Sequence, residues 1–179
     1  MMVKNILLFY NQAVQARQQG QTLRTAEDIA PPNLAFGQSM ADVIKLWGKP
    51  RASFSSGKAG HNIDIIFYRR DLIYENALLQ LQFYNDQLFF FCMEVGKSMM
   101  SESSKLTMLS KILPNYITPA YPSVHSIPII EDVQQHFILV KDDVVLNVCY
   151  LSGDFAADKL ALIEEAQKYT ATNEVKTQN

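Results

Sequence analysis

The sequence predicts an α+β protein of two αβββ units with antiparallel sheets, the helices packed on one face, preceded by an N-terminal helix. Three observations carry that expectation. One is a short amphipathic helix between Ser39 and Gly48, with a cap at its start and a stop at its end. Another is a strict alternation of apolar and polar residues over 79–84. The third is the return, from Ser101 onward, of the same order of helix followed by strands.

The first helix follows from Val3, Ile6, Leu7, Tyr10, Ala13 and Val14, which form one stripe at helical spacing, with Gly20 placed to cap its end. A stripe of that kind needs a surface to dock on. The polar stretch 21–33, closing with Pro31-Pro32, reads as an extended connector, and residues 1–35 form an N-terminal segment. In the next helix Ser39 is the N-cap, with Asp42 in the position of an acidic capping box. Met40, Val43, Ile44 and Trp47 repeat at helical spacing, and Gly48-Lys49-Pro50 stops the helix. Residues 51–60 hold three serines and two glycines and read as a loop or an irregular entry to the sheet.

Strands are expected over 63–69, 77–84 and 88–95. In the second, Leu79, Leu81 and Phe83 alternate with Gln80, Gln82 and Tyr84, the pattern of a strand with one buried and one wetter face. Asn85-Asp86 makes the following turn. The third strand is apolar on both faces, which places it centrally or under a second cover. These elements close a first unit, 36–96.

A second unit, 97–170, begins with a helix over 101–113 that carries Leu106, Leu109, Ile112 and Leu113 on one side and stops at Pro114. Residues 124–130 read as an edge strand because Pro128 lacks an amide donor. A hairpin over 136–140 and 144–151, turning at Lys141-Asp142-Asp143, and a last helix from Ser152 complete the unit. Residues 171–179 read as a fraying polar tail.

The order of helix and three strands occurs twice, each time with an acidic turn before the most apolar strand. The repetition is one of element order, not of residue identity.

Composition narrows the partners. The 179 residues are 48% hydrophobic and 19% charged, as in an ordinary globular protein. A net charge of -2, from 16 basic and 18 acidic residues, offers no positive field for nucleic acid. No stretch reaches the ~20 apolar residues of a membrane span. The start of the chain lacks a signal h-region, so the sequence as it stands reads as cytoplasmic, or as exported if a signal has been removed. Cys92 and Cys149 each sit in an apolar run and read as small buried hydrophobes. The alternative is one disulfide joining the halves, which would imply export.

The segment Phe36-Gly37-Gln38-Ser39-Met40-Ala41-Asp42-Val43-Ile44-Lys45-Leu46-Trp47-Gly48-Lys49-Pro50 resembles the opening signature of BLIP-like and SmpA/OmlA-like domains. In that family a glycine and a capping Ser or Thr start a short helix that ends in Gly-x-Pro before an antiparallel sheet. The stretch Leu79-Gln80-Leu81-Gln82-Phe83-Tyr84-Asn85-Asp86-Gln87-Leu88 is similar to its strand, turn and strand. The resemblance covers about a third of the chain. It implies a fold that binds protein and does no chemistry, in the tandem form of the β-lactamase-inhibitor protein. The second half lacks the Gly-x-Pro helix exit.

Catalytic chemistry has little to stand on. His61, His125 and His136 have no compact metal-ligand spacing, so no metal and no cofactor is expected. Asp142 and Asp143 read as a solvated turn. There is no nucleophile elbow, phosphate loop, dinucleotide fingerprint or zinc-protease helix. The alternative to a binding module is a small-molecule or catalytic domain with an apolar pocket in a curved sheet. There Asp64 or Glu94 would be desolvated into a general base.

Among the strand aromatics, Tyr68 and Tyr84 fall beside Gln82 and Asp64 on the expected wetter face. These four residues are the candidate binding surface for a protein partner, since interface cores favour tyrosine. Arg69-Arg70-Asp71 reads as a solvated corner. The sequence leaves open a homodimer built on the first helix and the apolar strands.

Overall fold

The computed structural model describes residues 4, 6–58, 60–72, 76–95, 100–116 and 121–155. The last helix expected beyond Ser152 and the polar tail lie outside them, apart from a single 3-10 turn at Gly153–Phe155.

Helix α1, Ile6–Gln18, ends as its glycine predicts. Gly20 takes φ 67°. Its N–H donates to Arg17 O at 3.0 Å and that of Gln21 to Ala16 O at 2.8 Å. This is a Schellman closure, which only a left-handed residue completes without strain. Part of the connector is extended, and Leu23–Arg24 forms the two-residue strand β1.

Helix α2, Met40–Trp47, begins where Ser39 Oγ accepts the Asp42 N–H at 3.1 Å. It stops at Gly48, φ 81°, whose N–H donates to Ile44 O at 2.7 Å. Two carbonyls left over at this end are satisfied by side chains of a neighbouring strand. Gly48 O accepts the Tyr68 hydroxyl at 2.8 Å, and Trp47 O accepts Arg70 Nη1 at 3.1 Å. Arg70 also lies over the Trp47 ring, 5.1 Å from its centre, so it locks a helix end and is no solvated corner.

Strands β2 (Ala52–Lys58), β3 (His61–Arg70), β4 (Ala77–Tyr84) and β5 (Gln87–Val95) follow as an antiparallel meander. Over 51–60, where a loop or an irregular entry to the sheet is expected, the chain forms the regular strand β2. Its serines carry no alternation because it lies at the sheet edge with one neighbour, where polar residues are tolerated on both faces.

Helix α3, Glu102–Ile112, is capped by Ser101. The strand expected over 124–130 is instead a 3-10 turn, Val124–Ser126, and the two-residue strand β6, Ile130–Glu131. Pairing starts only after Pro128, and β1 rather than β6 holds the edge. Strands β7 (Phe137–Asp142) and β8 (Leu146–Leu151) form the expected hairpin, but its turn falls at 143–145. Asp142 therefore ends a strand, with its carboxylate 2.7 Å from Lys105 Nζ, while Asp143 is solvated.

The eight strands of the described residues make one mostly antiparallel sheet, ordered β1-β6-β7-β8-β5-β4-β3-β2. Its centre is the antiparallel pair β5 and β8, and each half runs outward from that seam. On one face α2 and α3 cover Ile66, Tyr68, Leu81, Phe91, Met93, Val148 and Tyr150. On the other, Ile6, Phe9, Tyr10 and Ala13 of α1 cover Tyr84, Phe90, Cys92, Leu139, Cys149 and Leu151. Burying side chains such as Ile6 and Phe9 contributes ~1.5–3 kcal/mol each. Because α1 supplies that second cover, β5 is apolar on both faces as expected, and β4 loses its wetter face. Among the described residues no helix is long and apolar enough to cross a membrane.

Candidate functional site

The four residues expected to share a surface are divided between the two faces of the sheet. In the β3–β4 register Tyr68 lies opposite Leu79 and Ile63 opposite Tyr84. Residues opposite each other share a face, so Tyr68 and Asp64 belong with Leu79, Leu81 and Phe83 under α2. Gln82 and Tyr84 point to the α1 side.

Tyr68, Tyr84 and Gln82 are also buried, with Gln82 fully so. Tyr68 packs edge-on against Trp47 at 5.5 Å and donates to Gly48 O. Burial holds its hydroxyl above the ordinary tyrosine range, and Tyr84 shifts the same way for the same reason. Asp64 accepts a hydrogen bond from Ser55 Oγ on the neighbouring strand. These residues stabilise the fold, and the surface expected from them is not formed.

The α1 side of the sheet concentrates the buried polar groups instead. Reading across the strands, Gln80, Cys92 and Cys149 are in register, and the next row holds Glu94, Asn147 and Lys141. Lys4, just before α1, reaches this patch: its N–H donates to Gln80 Oε1 at 3.0 Å and its Nζ lies 3.2 Å from Glu94 Oε2. Gln82 Nε2 approaches Lys4 O at 3.5 Å. Gln80 Nε2 and Gln82 Oε1 are buried without a hydrogen-bond partner.

The thiols lie at the middle of the patch, Sγ to Sγ 2.8 Å, with Cys92 Sγ 3.8 Å from Asn147 Oδ1. Burial, and then the contact with Cys92, push the Cys149 thiol well above its ordinary range. A protonated, enclosed thiol is a poor nucleophile, so the arrangement favours packing or pairing of the sulfurs over attack on a substrate. Among the described residues no group of three or more His, Cys, Asp or Glu is placed to hold a metal ion.

Two further features lie at the sheet margins. At the β2 edge Phe54 is 52% exposed, its ring edge-on to Phe67 at 6.0 Å. At the other end, buried Asp132 organises the meeting of connector and hairpin. One carboxylate oxygen accepts the Gln134 and His136 N–H groups at 2.9 and 2.8 Å, and the other accepts that of Ile29 at 2.8 Å. His136 Nδ1 accepts the Gly153 N–H at 2.8 Å. A cavity of about 140 Å³ opens here, lined by Arg24, Thr25, Glu131, Asp132, Val133 and Gln135.

Sequence reasoning missed Asp132, although an Asp accepting from the amide two residues on is a local turn signal. It also missed the clamp at Tyr10, whose hydroxyl donates to Phe89 O at 3.1 Å and Ser152 O at 3.0 Å. Nothing local marks that clamp, since its partners are 79 and 142 residues away.

No protein-family model matches the chain, and no curated protein matches it. Among solved structures it is similar to an extracellular protein containing a SCP domain from Bacillus anthracis str. Ames, with 13% identity and a TM-score of 0.39. The match covers 73% of this chain, which spans half the length of that protein, a likeness too slight to transfer fold or function.

Proposed function

We infer that the chain is a non-enzymatic protein-binding or assembly module that receives a partner's strand along the outer edge of β2. The observation that carries this reading is a seven-residue edge strand with no outer neighbour among the described residues, on a sheet whose central strands are covered on both faces. The β2–β3 ladder closes on the Lys58–His61 pair, so alternation turns the Ser53 and Ser55 amides away from β3. They are free to bond an added strand, and half-exposed Phe54 supplies an apolar contact. Serine-rich sequence and the flanking Arg51 discourage indiscriminate pairing of the edge, which favours a chosen partner.

The BLIP-like resemblance agrees with this role. Each half of the sheet meanders outward from the β5–β8 seam behind its own helix, as two units joined by their last strands would. The first half departs from the αβββ pattern by one additional strand, β2. Against the alternative of an apolar ligand pocket stands the filling of both layers, including the glutamine positions of β4.

The test is an affinity capture followed by titration of the captured protein against wild type and Ser53→Pro. Proline at that position removes an outward donor without breaking the β3 ladder. Affinity is expected to fall at least about tenfold with the thermal midpoint unchanged. Equal affinity of both forms, or a catalytic turnover with no protein partner, would overturn the reading. Light scattering on the same samples distinguishes a second copy of the chain as the partner.

A further inference from the structure

We propose that Cys92 and Cys149 are a disulfide-forming pair that joins the last strands of the two halves of the sheet, and that the bond is made only while the chain folds. The pairing begins with register: Cys92 lies directly opposite Cys149 in the central β5–β8 ladder, 57 residues away in sequence. Its position in the ladder is the favourable one. The Ser152 N–H donates to Phe89 O at 2.9 Å, which makes that couple a hydrogen-bonded pair. Counting inward, hydrogen-bonded and open pairs alternate, so Phe91 and Tyr150 form the next bonded pair and Cys92 and Cys149 an open one.

Open pairs hold their Cα atoms ~4.5 Å apart with side chains closest. That separation lies within the ~4.4–6.8 Å that a disulfide spans. The sulfurs point to the same face and stand 2.8 Å apart, closer than the ~3.5–4.0 Å at which non-bonded heavy atoms rest.

Closure in the finished fold has no route. Both thiols are buried beneath α1, with Phe90, Leu139 and Leu151 around them, so a reagent does not reach them, and burial pushes the Cys149 thiol well up. In the unfolded chain both restrictions vanish. One cysteine thiolate attacks a small-molecule disulfide such as glutathione disulfide, breaking its S–S bond, forming a mixed disulfide and releasing one thiolate. The second cysteine, as thiolate, then displaces the other glutathione thiolate. The chain is oxidised by two electrons, and one glutathione disulfide is reduced to two thiols, which take up the two protons. The redox state of the pair thus records the conditions under which the chain folded.

Two parallel incubations test this with the full chain. Reduced, unfolded protein is refolded in a glutathione redox buffer, and reduced, already folded protein is held in the same buffer for the same time. Each is then denatured, alkylated and weighed by mass spectrometry. The refolded sample is expected to be two hydrogens lighter, to take up no alkylating agent and to yield one linked peptide containing Cys92 and Cys149, while the folded sample is alkylated at both. A refolded, native product that still carries two thiols overturns the pairing, as does a disulfide found only between chains. Oxidation of the folded sample as fast as the unfolded one overturns the claim that the fold excludes it.

Discussion

Replacing Tyr10 by Phe removes one oxygen from the seat of α1 and leaves its ring packing in place. The hydroxyl is fully buried and divides its proton between Phe89 O at 3.1 Å and Ser152 O at 3.0 Å. Phe89 O retains the Ser152 N–H, and Ser152 O retains the amide three residues on in the 3-10 turn Gly153–Phe155, so neither carbonyl is orphaned. Losing a buried hydrogen bond whose acceptors keep another donor costs ~0.5–1.5 kcal/mol. In a chain of this size each kcal/mol moves the thermal midpoint by ~2–4 °C, so a loss of about 1 kcal/mol lowers it by roughly 2–4 °C.

Alkaline pH gives the same residue a second signature. Burial raises the Tyr10 hydroxyl well above its ordinary 10.0, so the folded chain keeps the proton after the unfolded chain has begun to release it. Below pH 10 the phenol is protonated in both states and adds no pH dependence. Above it, the unfolded state is favoured, and stability falls by ~1.4 kcal/mol per pH unit for this group. Tyr150, raised by the same cause, contributes equally to both proteins and cancels in the comparison. Wild type and Tyr10→Phe should therefore converge in stability between pH 10 and 11. Urea unfolding followed by circular dichroism at pH 7, 9, 10 and 11 measures both effects. A variant as stable as wild type at neutral pH, or a gap that stays constant to pH 11, would refute the reasoning.

The Asp132→Asn substitution turns one carboxylate oxygen into a donor facing backbone N–H groups, for a loss of ~1–3 kcal/mol. Hydrogen exchange should report it as faster exchange at Ile29 and Leu23, with the β4 and β5 amides still protected. Gln82→Met replaces a buried amide whose Oε1 has no partner with an apolar side chain of similar length. Its stability is expected to be unchanged or raised by ~1 kcal/mol, and a denaturant midpoint showing a loss above ~2 kcal/mol would mean that the amide is satisfied.

The parts legible in the sequence are those whose causes lie within a few residues. Ser39 and Gly48 bound α2, Gly20 closes α1, and the stripe of Ile6, Tyr10 and Ala13 names the face that docks. The doubly apolar β5 announces its central place. The candidate surface failed because it needed a relation between strands. A shift of one residue in the β3–β4 register would have brought Tyr68 to the face of Gln82 and Tyr84, and no local pattern reports that parity. The same holds for β2, whose polar residues become a strand only because β3 offers a ladder.

By itself, then, the sequence determined which segments are helix or strand in the interior and which side of each is apolar, because caps, stops and periodicity act through neighbouring backbone. Only the tertiary structure decided that the last strands of the two halves meet at one seam, that α1 covers the second face, and that the two cysteines stand opposite each other. Those outcomes depend on pairings between residues tens of positions apart, where burial of whole faces rather than local preference selects the arrangement.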